Sequence, residues 1–205
     1  MLTKKESTKL RKELETAQNP LFFYDSDGDG LASFLLLYHI QREGTGIRVA
    51  NNNLLKDLFP RKISELEPDK VFILDIPIFT QELANLAKRP IFWIDHHPPI
   101  MLNKVNYYNP RIKTPEAYIP TSRMCWQVSK NPADLWIATI GCLADWHIPD
   151  FIDEFIERYP KLIPKKTDLP TMVFKDPISQ LVKLFFFIQK GPTKDVRKSI
   201  NVLKK

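Results

Sequence analysis

The chain has 205 residues, 43% of them hydrophobic and 26% charged, which is typical of a globular domain with a substantial core. Its longest apolar stretch, LASFLLLYHI, is far shorter than the ~20 residues of a membrane span, so we expect neither a span nor a membrane partner. The charged N-terminal segment has no signal region and the two cysteines lack CxxC spacing, so we expect a cytoplasmic protein with free thiols.

The net charge of +6 is distributed unevenly along the chain. Between Lys190 and Lys205 there are six cations and one anion, Asp195, so this segment alone carries +5. A basic tail of this kind suits a polyanionic partner such as single-stranded DNA or RNA. It is equally typical of a solvated helix face, and both interpretations stay open.

Apolar runs and helical periodicity alternate along the chain. A charged helix is predicted over residues 3–18, and it ends before Pro20. The apolar runs that follow are short and continuous, as in buried parallel strands. Strands are predicted in LFFY (21–24), IRVA (47–50), KVFILDIPI (70–78), PIFWIDHHPP (90–99) and KVNYYNP (104–110). Helices are predicted over residues 30–43, 79–88, 121–129, 132–146 and 151–159, with a polar loop or short helix around 54–59.

This alternation predicts an α/β fold: a parallel sheet with helices on both faces, followed by a helical C-terminal segment. We expect a catalytic domain over residues 1–160, with its motifs between 19 and 150. Residues 161–205 are then a basic, helical C-terminal extension.

The segment YDSDGDGLAS, residues 24–33, carries aspartates at alternate positions: Asp25, Asp27 and Asp29. The first half of a calcium-binding EF-hand loop has the same pattern, but position twelve of such a loop is Leu36 here, which cannot bind calcium. The preceding PLFFYD also reads as a strand, whereas an EF-hand needs a helix there. We therefore predict an acidic loop at the C-terminal end of a strand, where open α/β sheets bind ligands.

Further acidic and imidazole side chains follow other apolar segments. Asp75 and Asp95 end two more predicted strands, and His96 and His97 follow Asp95 directly. Asp145 ends the apolar helical segment WIATIGCLAD. Because parallel strands end at one edge of the sheet, we expect these groups to converge there.

So many carboxylates in a partly dry cleft would be costly without cations. Oxygen ligands with one imidazole suit manganese or magnesium better than zinc. There are enough carboxylates for two ions, and Asp75, in the middle of the edge, could bridge them. His97 is then left to face the substrate as a hydrogen-bond donor or general acid.

Four motifs together resemble the DHH phosphoesterase superfamily, and RecJ-like archaeal nucleases most of all. They are DSDGDGLAS, FILDIP, WIDHHPP and GCLADW. The resemblance implies a phosphoesterase that uses two manganese or magnesium ions. It assigns one ion to Asp25, Asp27 and Asp75, and the other to Asp29, Asp75, His96 and Asp145. It also implies that His97 contacts the scissile phosphate and that Asp95 orients the histidine pair.

Enzymes of this superfamily usually carry a second domain with a glycine-rich motif that ends in histidine. This chain has six glycines, none adjacent, and no such motif. We therefore expect the catalytic half alone, with a protein partner or a missing C-terminal domain covering the substrate.

Three functions are compatible with these motifs. The first is a phosphodiesterase acting on single-stranded nucleic acid, such as a RecJ-like exonuclease of replication or repair. The second is a hydrolase of small phosphates: oligonucleotides, cyclic dinucleotides or pyrophosphate. The third is a non-catalytic scaffold within a replication complex.

Overall fold

The computed structural model describes residues 1–204, except for the side chains of Asn52 and Thr193. Lys205, which belongs to the predicted basic tail, lies outside the described residues.

Five short strands form one sheet in the order β2-β1-β3-β4-β5, and every neighbouring pair is parallel. The strands are β1 (Leu21–Asp25), β2 (Thr45–Val49), β3 (Val71–Leu74), β4 (Ile91–Ile94) and β5 (Val105–Tyr108). Helices cover both faces, so the predicted α/β fold with a parallel sheet is confirmed.

One helix precedes the first strand, and the others follow it along the chain. The helices are α1 (Lys4–Glu15), α2 (Gly28–Gln41), α3 (Asn52–Leu66), α4 (Gln81–Ala87), α5 (Thr121–Ser129), α6 (Leu135–Ala144), α7 (Ile152–Arg158), α8 (Leu169–Phe174), α9 (Ile178–Ile188) and α10 (Thr193–Leu203). None of the helices in residues 1–204 is both long and apolar enough to cross a membrane.

Successive side chains along a strand point to opposite faces of the sheet, so neighbouring residues pack into two separate cores. On one face Phe22, Phe72 and Phe92 stack in a row, with ring centroids 5.1 Å apart at each step, beneath α2, α5 and α6. On the other face Phe23 and Trp93 pack with α3 and α4. The sheet is thus buried on both sides, which explains why its strands are continuously apolar.

The strand register aligns the C-terminal ends of four strands. Tyr24 pairs with Leu74, Leu74 with Ile94, and Ile94 with Tyr108. The next residues along each strand are therefore neighbours at one edge of the sheet: Asp25, Asp75, Asp95 and Asn109.

The prediction of a loop or short helix around residues 54–59 was wrong in extent. The segment is the 15-residue helix α3, which contains Pro60. An internal proline costs a helix about 3 kcal/mol. The buried side chains of Leu55 and Phe59 offset this cost, and the Phe59 ring lies 5.1 Å from that of Phe23 and 5.2 Å from that of Phe79.

The C-terminal helices pack onto the same core as the sheet. Ile178 and Phe185 of α9 and Val196 of α10 are buried in the cluster that contains Phe22 and Phe72. The helical character predicted for this segment is confirmed. The division into two parts at residue 160 stays a prediction.

Candidate metal centre

The loop between β1 and α2 is folded tightly around its aspartates. The side chain of Asp27 caps α2 by accepting a 2.8 Å hydrogen bond from the Gly30 N–H. A Cβ at Gly30 would lie 2.5 Å from the Asp25 carbonyl oxygen, and one at Gly28 would lie 2.5 Å from Ala144 Cβ. Glycine at these two positions therefore lets the loop approach both β1 and α6 closely.

Asp75 is held in a strained conformation directly after β3. Its φ of +61° lies in the left-handed region, where a residue other than glycine costs on the order of 1–3 kcal/mol. The side chain is buried and accepts a 3.0 Å hydrogen bond from Thr121 Oγ1. This change of backbone direction ends the strand at Leu74, so the predicted strand over 70–78 was too long.

Asp29 is buried against the N-terminus of α5. Its carboxylate accepts hydrogen bonds from the backbone N–H groups of Thr121, at 2.8 Å, and Ser122, at 3.0 Å. Pro120, the N-cap residue of α5, offers no capping side chain, so Asp29 provides the acceptor from a distant part of the chain.

The two histidines have different surroundings. His96 Nε2 lies 3.4 Å from a carboxylate oxygen of Asp75 and 3.6 Å from one of Asp145. His97 Nδ1 instead pairs with the buried carboxylate of Asp95 at 2.7 Å. Asp95 also accepts hydrogen bonds from the N–H of His97, at 3.1 Å, and from the hydroxyl of Tyr107, at 3.2 Å.

Ligand atoms of these side chains gather in three overlapping groups, each with all atoms within 4.8 Å. The first contains Asp25, Asp27 and Asp75, and the second contains Asp29, His96 and Asp145. The third joins His97 to Asp75 and His96. All six predicted metal ligands therefore lie at one edge of the sheet. Their division between two ions stays a prediction.

Burial raises the pKa of four carboxyl groups in these clusters, those of Asp25, Asp29, Asp75 and Asp145. Burial, together with the nearby charge of Asp27, raises the pKa of Asp25 to about 6. The pKa of Asp145 rises to about 6, again mainly through burial. Asp29 and Asp75 are driven well above the ordinary pKa of aspartate by burial and by repulsion from neighbouring carboxylates. The charged forms are thus disfavoured unless a cation is present.

Burial, and then the proximity of His97, lowers the pKa of His96 to about 4, which keeps its imidazole neutral at physiological pH. The neutral form is the one that binds a metal. For His97 the hydrogen bond to Asp95 raises the pKa and favours the protonated ring. The two adjacent histidines are therefore suited to different tasks.

The site fits a divalent cation on independent grounds. Asp145 Oδ2 is buried and, within residues 1–204, has no hydrogen-bond partner. An unpaired buried carboxylate oxygen needs a compensating charge. The donor set of carboxylates with one imidazole suits a hard ion such as Mn²⁺ or Mg²⁺, and these clusters could hold metal.

Exposed aromatic rings lie beside the clusters. Tyr118 donates a 2.7 Å hydrogen bond to the backbone carbonyl of Asp145, and its ring centroid lies 5.7 Å from that of His96. Trp146 follows Asp145 in the left-handed region, with φ +54°. Its ring lies 5.7 Å from that of Phe174. Tyr118, Trp146 and Phe174 are 50%, 52% and 57% exposed, and we call them the aromatic patch.

The model of the DHH family N-terminal domain matches residues 21–144. This chain belongs to the DHH family. The matched segment contains each strand of the sheet and every predicted ligand except Asp145, which follows its last residue. No curated protein sequence matches the chain.

Solved structures share the fold of this DHH domain at low sequence identity. RecJ from Thermus thermophilus in complex with Mn²⁺ is 13% identical, with a TM-score of 0.61, over 97% of this chain and 36% of RecJ. A manganese-bound exonuclease RecJ is 15% identical, with a TM-score of 0.60, over 97% of this chain and 63% of that protein. CDC45 from Entamoeba histolytica is 16% identical, with a TM-score of 0.57, over 74% of this chain and 36% of CDC45.

The DHH domain therefore has a RecJ-like fold and spans less than two thirds of each of these three proteins. At such identities the likeness shows the fold, and the similarity to RecJ is about as strong as that to CDC45. The resemblance predicted from the four motifs is confirmed at the level of the family and the fold.

One expectation about the DHH domain needs correction. Asp95 was expected to orient both histidines, but its hydrogen bonds reach only His97 of the two. Arg123 lies within α5, is largely buried, and pairs with Asp150 through Nη2 at 2.8 Å and through Nε.

Sequence reasoning also missed several polar partners of the site. Thr121 and Ser122 bind Asp29, and Gln189 at the end of α9 donates its side-chain N–H to the Asp27 carbonyl oxygen. The helix start at Thr121 was predictable, but nothing in the sequence indicated which acidic residue would cap it. No local pattern links Gln189 to a loop 162 positions away.

Proposed function

We propose that this DHH domain is a phosphodiesterase that hydrolyses single-stranded nucleic acid with two divalent ions, Mn²⁺ by preference or Mg²⁺. A RecJ-like exonuclease role in replication or repair is the form that we favour. The observation that carries the proposal is the position of Asp75. It belongs to the first ligand group and also lies 3.4 Å from His96 of the second, as a bridging ligand must.

Each side chain has a distinct part in the proposed reaction. Asp25, Asp27 and Asp75 would hold one ion, and Asp29, His96 and Asp145 would hold the other with Asp75. When bound, such a pair of ions lowers the pKa of a water molecule and neutralises phosphate oxygens. Thr121 fixes the orientation of Asp75 through its 3.0 Å hydrogen bond.

His97 is the proposed group that contacts the scissile phosphate. Its Nδ1 is occupied by Asp95, which fixes the ring and leaves Nε2 to donate a hydrogen bond. Because this pairing raises its pKa, His97 can carry a proton near neutral pH and act as a hydrogen-bond donor or general acid. The third ligand group, which includes His97, indicates that the ring is close enough to Asp75 for this role.

Two features favour nucleic acid over a small phosphate. The aromatic patch offers exposed rings next to Asp145, and bases stack on such rings regardless of their sequence. The segment from Lys190 supplies positive charge, since α10 and its flanks are rich in lysine and arginine. A second protein or domain that covers the cleft would complete the grip on the substrate.

A non-catalytic scaffold is the second candidate, and the similarity to CDC45 favours it. That similarity is nearly as strong as the one to the manganese-bound RecJ structures, so the fold does not separate an enzyme from a scaffold. The strained backbone of the buried Asp75 favours an enzyme, because strain of this kind is concentrated at functional sites.

The test is hydrolysis of a 5′-labelled single-stranded oligonucleotide and of a dinucleotide, with Mn²⁺, with Mg²⁺ or with EDTA. Manganese-dependent loss of the oligonucleotide supports a nuclease, and cleavage of the dinucleotide alone supports a small-phosphate hydrolase. Asp75→Asn should abolish both reactions, while Asp57→Asn, an exposed carboxylate on α3, should change neither. Metal binding by calorimetry without any hydrolysis would favour the scaffold.

A further inference from the structure

A cavity lies along the outer edge of β2. It has a volume of about 690 Å³ and is bounded by β2, α3 and α10. β2 is an edge strand of the sheet, and no strand within residues 1–204 pairs with its outer side. We call this cavity the edge groove, after residues 45–48, which form its base.

The edge groove is lined by positive charge. Its cations are Arg48, Arg61, Lys62, Arg197 and Lys204, and no carboxylate is among the residues that line it in the described chain. Glu65 forms ion pairs with Arg61, at 3.8 Å, and with Lys62. Arg48 and Arg197 have no ion pair within residues 1–204. The groove therefore favours an anionic ligand.

The base of the groove is a free strand edge. The Thr45 N–H donates to the Pro20 carbonyl oxygen on the β1 side. Because hydrogen-bonding direction alternates along a strand, the N–H and C=O groups of Gly46 and Arg48 point outward. Such an edge can accept another strand.

The walls of the groove are apolar. Leu54, Leu58 and Leu66 contribute from α3, and Val196 and Ile200 contribute from α10. Side chains of an added strand would alternate between these two walls. The rings of Tyr24 and Phe34, which also line the groove, are buried and offer no exposed face on which a base could stack.

We propose that the edge groove binds an extended segment of a partner protein in which acidic and apolar residues alternate. The segment adds a strand to β2, its backbone pairs with Gly46 and Arg48, and its acidic side chains contact Arg48 and Arg197. Backbone pairing supplies the affinity in this mode, and the walls and cations supply the selectivity. This binding is independent of the metal centre.

The test uses a fluorescein-labelled peptide of alternating glutamate and valine, titrated with the full chain in EDTA and followed by anisotropy. We expect saturable binding that weakens about tenfold or more in the double variant Arg48→Glu, Arg197→Glu, because two attractive contacts become repulsive. The matched double variant Lys5→Glu, Lys161→Glu changes the net charge equally at exposed sites outside the groove and should bind as the parent does.

Peptide N-methylation tests the added strand itself. Methyl groups on alternate residues block one hydrogen-bonding edge of the peptide, so one methylation register should abolish binding and the other should leave it intact. Hydrolysis of the dinucleotide, which does not depend on the basic segment, should be the same in the Arg48→Glu, Arg197→Glu variant as in the parent chain. Absence of saturable binding, equal loss in the lysine variant, or indifference to the methylation register would each overturn the proposal. If an oligonucleotide and not the peptide loses affinity on the same charge reversal, the groove is a nucleic-acid surface and the proposal is wrong.

Discussion

The carboxylate of Asp29 accepts a 2.8 Å hydrogen bond from the backbone N–H of Thr121, 92 positions further along the chain. This hydrogen bond joins the acidic loop to α5. The hydroxyl of Thr121 also donates a hydrogen bond to Asp75. The carboxylates of the centre are thus positioned by a helix N-terminus as well as by the sheet.

Asp29→Ala should destabilise the metal-free protein. Repulsion among the aspartates alone would predict the opposite, since the substitution removes one charge from the cluster. The structure reverses that expectation, because the N–H groups of Thr121 and Ser122 would be left buried and unpaired, at about 1–3 kcal/mol each. Thermal unfolding in EDTA measures the effect, with Asp29→Asn, which keeps one acceptor, expected between the parent and the alanine variant. A melting temperature at or above that of the parent would refute the capping role.

Asp75→Gly should unfold at a higher temperature than Asp75→Ala. Both variants lack the carboxylate, so the comparison isolates the backbone, which has φ +61° at this position. Glycine adopts that region freely, whereas for alanine it costs about 1 kcal/mol. Neither variant should hydrolyse the oligonucleotide. Equal stability of the two would mean that the backbone relaxes once the carboxylate is gone.

Metal affinity should fall as the pH is lowered through 6. Asp25 and Asp145 have pKa values raised to about 6, so protons compete with the ion below that pH. The same shifts make the metal-free protein less stable as the pH rises from about 4 to above 6, because the folded state holds protons that the unfolded chain releases near 3.9. Calorimetric titrations with Mn²⁺ and melting curves in EDTA, both between pH 5 and 8, should therefore show opposite trends. Parallel trends would contradict the raised pKa values.

Trp146→Ala should raise KM for the oligonucleotide and leave dinucleotide hydrolysis nearly unchanged. Loss of one stacked base is worth about 1–3 kcal/mol. Trp146→Phe should retain most of the affinity, and Leu86→Ala, an exposed apolar residue on α4, serves as the control. Equal losses on the two substrates would show that Trp146 acts on the centre and not on a base.

Gln189→Met should weaken Mn²⁺ binding several-fold. Gln189 is buried, and its amide donates to the carbonyl oxygen of Asp27, which fixes the loop from the side of α9. Methionine fills the same space without the hydrogen bond. Gln180→Met, at an exposed position on α9, should bind metal as the parent does. Unchanged affinity in the Gln189 variant would mean that the loop is rigid without this contact.

The features that could be predicted from the sequence are those that depend on the periodicity of apolar residues and on the order of the segments along the chain. Apolar runs ending in Asp25, Asp75 and Asp95 predict convergence, because parallel strands end at one edge, and the structure places these residues side by side. Contacts between distant segments were not predictable in this way. The cap that Asp29 provides for α5, the link from Gln189 and the strain at Asp75 all depend on tertiary packing. The helix α3 was underestimated because Pro60 suggests a break that the buried Leu55 and Phe59 outweigh.

The aligned register from Tyr24 to Tyr108 makes the metal centre a check on correct strand pairing. In a sheet, a slip of one residue moves every side chain to the opposite face. If β3 or β4 slipped in this way, Asp75 or Asp95 would leave the edge row and enter one of the apolar cores. A pair of ions that requires Asp25, Asp75 and His96 together can bind only to the correctly registered sheet. Divalent metal should then act as a selector among folded forms, favouring the native pairing over its slipped neighbours.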